Sequence, residues 1–141
     1  MTRMERLRVL VVDDDPNMID VLELGLGAKY EVYGAKSGKE ALVMIKTHKP
    51  HAVLTDLYMS GMSGFELARE ISGMPPKLRP TVRVMSGERG EYQVARAQEV
   101  NAEFIAKPFT IPQIRAILDE DISRRLDATT AGQNVAEKVY S

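Results

Sequence analysis

Three aspartates in a row, Asp13, Asp14 and Asp15, close a short apolar run in a chain of 141 residues that contains no cysteine and only two histidines. Thiolate nucleophiles, disulfides and thiolate zinc sites are therefore excluded, and chemistry must rest on carboxylates, lysines and hydroxyls. Further along, Asp56, Ser86 and Lys107 each follow another short apolar or β-branched run. Two like charges about 4 Å apart repel by roughly 4 kcal/mol at an effective dielectric near 20, so Asp13, Asp14 and Asp56 gathered together require a proton or a cation. Hard oxygen donors without imidazole or thiolate favour Mg2+ over zinc, and Mg2+ keeps waters and a place for a phosphate oxygen. Lys107 brings a second positive charge on a flexible stem, suited to a phosphoryl oxygen.

Each of these residues also has a plainer reading. Asp15 precedes Pro16 and fits a helix N-cap. Asp13 and Asp14 fit a solvated turn as well as a site, although they are two acids more than a cap needs, and Asp56 fits a turn equally well. Ser86-Gly87 alone reads as a turn and Lys107-Pro108 alone as a loop. His48 and His51, on either side of Lys49-Pro50, read as solvated imidazoles, and the eight methionines read as core filling.

The elements that must carry these residues follow from periodicity. Residues 7–12, 30–35, 52–57, 81–85 and 103–106 are apolar or β-branched and read as strands. Helices follow each one. Pro16 opens the first, Ser37 with Glu40 and Ser63 with Glu66 make capping-box spacings, residues 91–100 form a weakly amphipathic fourth, and Thr110 caps a fifth with Ile114, Leu118 and Ile122 one turn apart. Five repeats of strand then helix call for a parallel sheet with helices on both faces. Ligands of such sheets bind beyond the carboxyl ends of the strands, which is where Asp13, Asp14, Asp56, Ser86 and Lys107 all fall. Joint placement raises them above their separate plain readings.

The length suits one hydrophobic core. With 19 basic against 20 acidic residues the net charge is −1, which offers a polyanion such as DNA no general attraction. The apolar run at residues 9–12 is far below a membrane span or a signal segment, so neither direct nucleic-acid binding nor a membrane is expected, and the location expected is cytoplasmic. Residues 127–141 are polar and read as a mostly disordered tail, a handle for a partner or the start of a linker, with Asn134 and Glu137 at capping spacing in a helix too short to be stable alone.

Four motifs in order, V-V-D-D-D-P at residues 11–16, D-L-Y-M-S-G-M-S-G at 56–64, Ser86-Gly87 and F-I-A-K-P-F at 104–109, together resemble the receiver domain of two-component response regulators, over residues 8–126. The resemblance implies an α/β, flavodoxin-like (βα)5 doubly wound sheet of order 2-1-3-4-5, with the domain at residues 1–126. It implies that Asp56 accepts a phosphoryl group from phosphohistidine, with Mg2+ held by Asp13, Asp14, Asp56 and the backbone carbonyl of Tyr58. Ser86 and Lys107 would contact the phosphoryl oxygens, Ser86 and Phe104 would form the switch, and Lys107-Pro108 would be a cis peptide. The partners implied are a sensor histidine kinase or histidine phosphotransfer protein and a downstream effector or output domain, with a phosphorylation-dependent homodimer as a further assembly. Such a domain is no conventional enzyme, catalysing only its own phosphorylation and, as a further capacity, its own dephosphorylation.

The chain departs from the family pattern in several places. Ser60 stands where proline is usual, Ser86 where threonine is commoner, and Val100 where glycine is usual, with Asn101 expected to take the left-handed conformation. Tyr58 and Glu88 flank the expected phosphoryl position. Two other classes are weaker fits. A Mg2+-dependent phosphohydrolase with Asp13 as nucleophile is contradicted by Pro16, and a pseudo-receiver by the complete acidic set with Lys107.

Overall fold

A computed structural model describes residues 6–87 and 90–140, with side chains up to Asp127. The chain alternates β1 (Arg8–Val12), α1 (Pro16–Leu26), β2 (Glu31–Ala35), α2 (Gly38–His48), β3 (Ala52–Asp56), α3 (Gly64–Ser72), β4 (Thr81–Ser86), α4 (Glu91–Glu99), β5 (Glu103–Ala106) and α5 (Ile111–Tyr140). All neighbouring strands pair in parallel, in the order β2-β1-β3-β4-β5. This is the flavodoxin-like arrangement expected.

Alternation along the strands divides the core into two layers. Leu10, Val12, Val53, Val82 and Val84 face α2, α3 and α4, meeting Ala41, Ile45, Leu67, Ile71 and Ala97. Val9, Val11, Leu54, Met85 and Ile105 face α1 and α5, meeting Leu22, Leu26, Ile114, Leu118 and Ile122. Burial on both faces explains why β1 reads as an unbroken apolar run rather than an alternating one.

The helix starts follow their caps. The side chains of Asp15, Ser37 and Ser63 accept from the backbone N–H groups of Asn17, Glu40 and Glu66 at 2.9, 3.1 and 3.2 Å. Thr110 and Gln113 cap each other: Gln113 N–H donates to the Thr110 hydroxyl at 3.3 Å and Thr110 N–H to the Gln113 side chain at 2.8 Å. Asn101 has φ 58, the left-handed conformation expected of it, and Lys107-Pro108 is cis.

Two expectations are corrected. Residues 127–140 are not a separate disordered tail, because α5 continues to Tyr140. Lengthening a formed helix avoids the nucleation cost that a short isolated one must meet, and no proline interrupts it. Side chains of the Asn134–Glu137 spacing lie outside the described residues. His48 and His51 are also not simply solvated. His48 stacks on Tyr33 with ring centroids 4.1 Å apart, and His51 Nδ1 accepts the Arg8 backbone N–H at 3.0 Å. The β1–β3 register, which pairs Val9 with Ala52, brings His51 beside Arg8.

Met85 is fully buried, and Met18, Met44, Met59, Met62 and Met74 pack against the two core layers, as core filling requires. Met1 and Met4 lie outside the described residues. Among the described residues no helix is long and apolar enough to cross a membrane.

Candidate functional site

The carboxyl ends of β1, β3, β4 and β5 meet along one edge of the sheet. Asp13 follows β1, and its backbone N–H donates to the Ala35 carbonyl at the end of β2 at 3.0 Å. Leu57 N–H, just past β3, donates to the Met85 carbonyl of β4 at 3.1 Å, and Lys107 N–H, just past β5, donates to the Ser86 carbonyl at 3.0 Å. These bonds prolong the ladder beyond the strands, so the polar residues are held by the sheet rather than by free loops. Gly64 adds a constraint, since a Cβ there would lie 2.4 Å from the Asp56 carbonyl, and α3 can therefore begin directly against the end of β3.

The acidic residues converge. One oxygen from each of Asp13, Asp14 and Asp56 lies within 4.8 Å of the others. Asp13 is 2% exposed and its carboxylate accepts the Asp15 N–H at 3.0 Å. Asp14 is exposed, and its Oδ2 accepts the Ser60 N–H at 3.2 Å. Asp56 is half-buried, its Oδ1 accepting both the Leu57 N–H at 3.0 Å and Lys107 Nζ at 2.9 Å. Burial first, and then the charges of Asp56 and Asp14, push the Asp13 carboxyl above its ordinary pKa, against the opposing pull of the Asp15 N–H and Lys107.

Burial and the two neighbouring carboxylates together disfavour the Asp13 anion, and the charge of Lys107 does not cancel them. Three carboxylates without nitrogen or sulfur donors form a set that suits a hard divalent cation, so the residues present fit Mg2+. The arrangement can bind a cation on the acidic side and an anionic oxygen beside Lys107 and Ser86.

The remaining predicted residues take their places around this cluster. Ser86 is buried at the end of β4, and in register it pairs with Ala106, next to Lys107. Tyr58 lies in the β3–α3 loop two residues beyond Asp56, with its side chain exposed. Phe104, on β5, packs edge-to-face on Phe65 of α3, with centroids 5.9 Å apart and planes at 84°. Asp15 serves as the α1 cap and not as a member of the cluster. Glu88 lies outside the described residues.

Sequence reasoning missed one participant: the Ser60 backbone donor to Asp14 was visible only as a missing proline. Arg83, in the middle of β4, bonds Asp121 and not the acidic cluster, and a charge between Val82 and Val84 is itself a signal of such a partner.

Comparison with known proteins gives the family and the fold. The profile of the response regulator receiver domain matches residues 9–119. The two-component response regulator ORR27 of Oryza sativa subsp. japonica is 34% identical over 130 residues, covering 89% of this chain and 20% of that protein. A probable cyclic di-GMP phosphodiesterase of Vibrio cholerae is 29% identical over 117 residues, covering 82% of this chain and 26% of that protein. The chain thus spans about a fifth to a quarter of the curated relatives it matches. In fold it resembles the chemotaxis protein CheY4 of Vibrio cholerae, with a TM-score of 0.78 at 24% identity, covering 83% of this chain and 99% of that one.

Proposed function

Since the chain belongs to the response regulator receiver domain family, whose profile spans residues 9–119, we propose that it accepts a phosphoryl group on Asp56 from a phosphohistidine and relays that event through α4, β5 and α5. The observation that carries this is Asp56 itself, a half-buried carboxylate at a strand end that accepts from Lys107 and lies within 4.8 Å of oxygens of Asp13 and Asp14.

In the transfer, an Asp56 carboxylate oxygen attacks phosphorus in line, the N–P bond of the donor breaks, and the imidazole nitrogen leaves with the bond's electron pair. The product is an acyl phosphate on Asp56. The Leu57 N–H and Lys107 both hold Oδ1, so the carboxylate plane is fixed before the donor arrives. Asp13, Asp14, Asp56 and the Tyr58 carbonyl would hold Mg2+. When bound, Mg2+ supplies positive charge for the phosphoryl oxygens of the transition state.

After transfer, Lys107 exchanges the Asp56 oxygen for a phosphoryl oxygen, and the Ser86 hydroxyl binds another. The inward pull on Ser86 opens space into which Phe104 turns, leaving its contact with Phe65, and the surface of α4, β5 and α5 changes shape.

The donor is a sensor histidine kinase or a histidine phosphotransfer protein, and the recipient of the signal is a downstream effector or output domain, with phosphorylation-dependent homodimerisation of the same surface. The receiver occupies residues 1–126 and is cytoplasmic, and residues 127–141 serve as a polar tail or the start of a linker, helical as far as Tyr140. The domain acts as a signalling element whose chemistry is confined to its own acyl phosphate.

A phosphohydrolase with Asp13 as nucleophile is disfavoured, because Asp13 is buried and its anion is penalised. Incubation with a small phosphodonor and Mg2+ tests the proposal. Intact mass should rise by one phosphate, and Asp56→Asn should abolish the gain. Undiminished labelling in that variant would overturn the assignment.

A further inference from the structure

Arg83 is a cation set in the middle of a buried strand, third of six residues in β4 and flanked by buried Val82 and Val84. Alternation places it with Met85 on the layer facing α5. There it forms a fork on Asp121, Nε donating to Oδ2 at 2.7 Å and Nη2 to Oδ1 at 2.8 Å. Asp121 is only 7% exposed and also receives Arg124 Nη2 at 2.7 Å. The remaining nitrogen of Arg83, Nη1, donates to the main-chain carbonyl of Phe104 at 3.2 Å and stands 3.0 Å from the Glu103 carboxylate. Asp121 holds the Arg83 guanidinium protonated, raising its pKa further.

One guanidinium therefore joins three elements: β4, which ends in Ser86; β5, which carries Phe104 and leads to Lys107; and α5. We propose that Arg83 is a positioning residue that couples the two strand ends to α5, so that a change at Ser86 and Lys107 reaches that helix. The proposal rests on the phosphoryl switch described above and names the route by which α5 takes part in it.

Packing alone does not account for this choice of residues. A buried ion pair commonly contributes no more stability than apolar side chains of similar volume. A fork is directional, however. Apolar surfaces tolerate small slips, whereas movement of the Phe104 carbonyl relative to Asp121 must stretch a bond to the same planar group or carry the helix with it.

The test compares the unsubstituted chain with an Arg83→Met, Asp121→Leu double variant, which removes the fork without stranding either charge. Amide hydrogen exchange is followed with and without Mg2+ and beryllofluoride as the phosphoryl mimic, alongside phosphodonor labelling. The double variant should label at Asp56 and show the mimic-induced protection around residues 56–60 as the unsubstituted chain does. Its α5 response over residues 111–126 should shrink about fivefold or more, the lower end of typical coupling between sites. An undiminished α5 response would overturn the proposal.

Arg83→Lys, which keeps the charge and loses the fork, provides a second variant that does not depend on the double variant folding. A full α5 response there would also overturn the proposal. Failure of the unsubstituted chain to bind the mimic would instead overturn the phosphoryl reading beneath it, whereas a bound mimic with a silent α5 would overturn the coupling alone.

Discussion

Lys107 Nζ lies 2.9 Å from Asp56 Oδ1, although 51 residues separate the two in sequence. The cation comes from just past β5, at the edge of the sheet, and crosses the end of β4 to reach the acid that ends β3. Charge balance at the site is thus a property of strand order.

Removing that cation leaves Asp13, Asp14 and Asp56 with their mutual repulsion less opposed. Lys107→Ala should therefore show a larger rise in thermal midpoint on adding Mg2+ than the unsubstituted chain. It should still accept phosphate, more slowly, while the beryllofluoride-induced chemical-shift changes at Phe104 disappear. Melting curves and amide spectra check both halves.

The raised pKa of Asp13 has a definite sign in stability. The folded chain keeps this proton to a higher pH than the unfolded chain, whose ordinary value is 3.8. Folding therefore takes up a proton in the window above 3.8, and without Mg2+ the contribution of Asp13 to stability falls as pH rises through it. Asp13→Asn should flatten this decline and raise the metal-free thermal midpoint near neutral pH, with the advantage fading in acid. Urea titrations across pH measure the slope.

Mg2+ should stabilise the unphosphorylated chain, because it relieves repulsion that exists only in the fold. At about a hundred times the dissociation constant a single site adds about 2.7 kcal/mol. Asp14→Ala should lose most of that gain. An unchanged Mg2+ response would remove Asp14 from the ligand set.

The edge-to-face contact between Phe65 and Phe104 should register as a coupling energy of about 0.5–1.5 kcal/mol in a double-mutant cycle with leucine at both positions. The coupling should vanish when beryllofluoride is bound, if Phe104 turns away from Phe65 in the switched state. Denaturation midpoints of the four chains, with and without the mimic, give the value.

Much of this molecule is legible before any coordinates. Val9 to Val12 are buried on both faces, so β1 appears as an unbroken apolar run, and Asp15, Ser37, Ser63 and Thr110 mark helix starts that the fold uses. The acids and Lys107 are legible as strand-end residues because parallel topology puts all such ends on one edge. Pairings that depend on register are not. The Arg83–Asp121 fork spans 38 positions, and His51 gains its Arg8 donor only when β1 and β3 align. The end of α5 is not legible either, because its last residues taken alone make too short a helix, whereas their cost is set by the helix already standing before them.

Ser60 offers something that the proline usual at its position would not: a backbone amide, aimed at Asp14 Oδ2 from 3.2 Å. Proline has no N–H, so a chain with proline there would be silent at this point in any experiment that observes amides. Here the carboxylate proposed to hold the cation is wired to a nucleus that can be observed directly. A change in the charge on Asp14 alters the shielding of that proton before any helix moves. The Ser60 resonance therefore separates in time the loading of the acidic pocket from the later rearrangement of α4, β5 and α5.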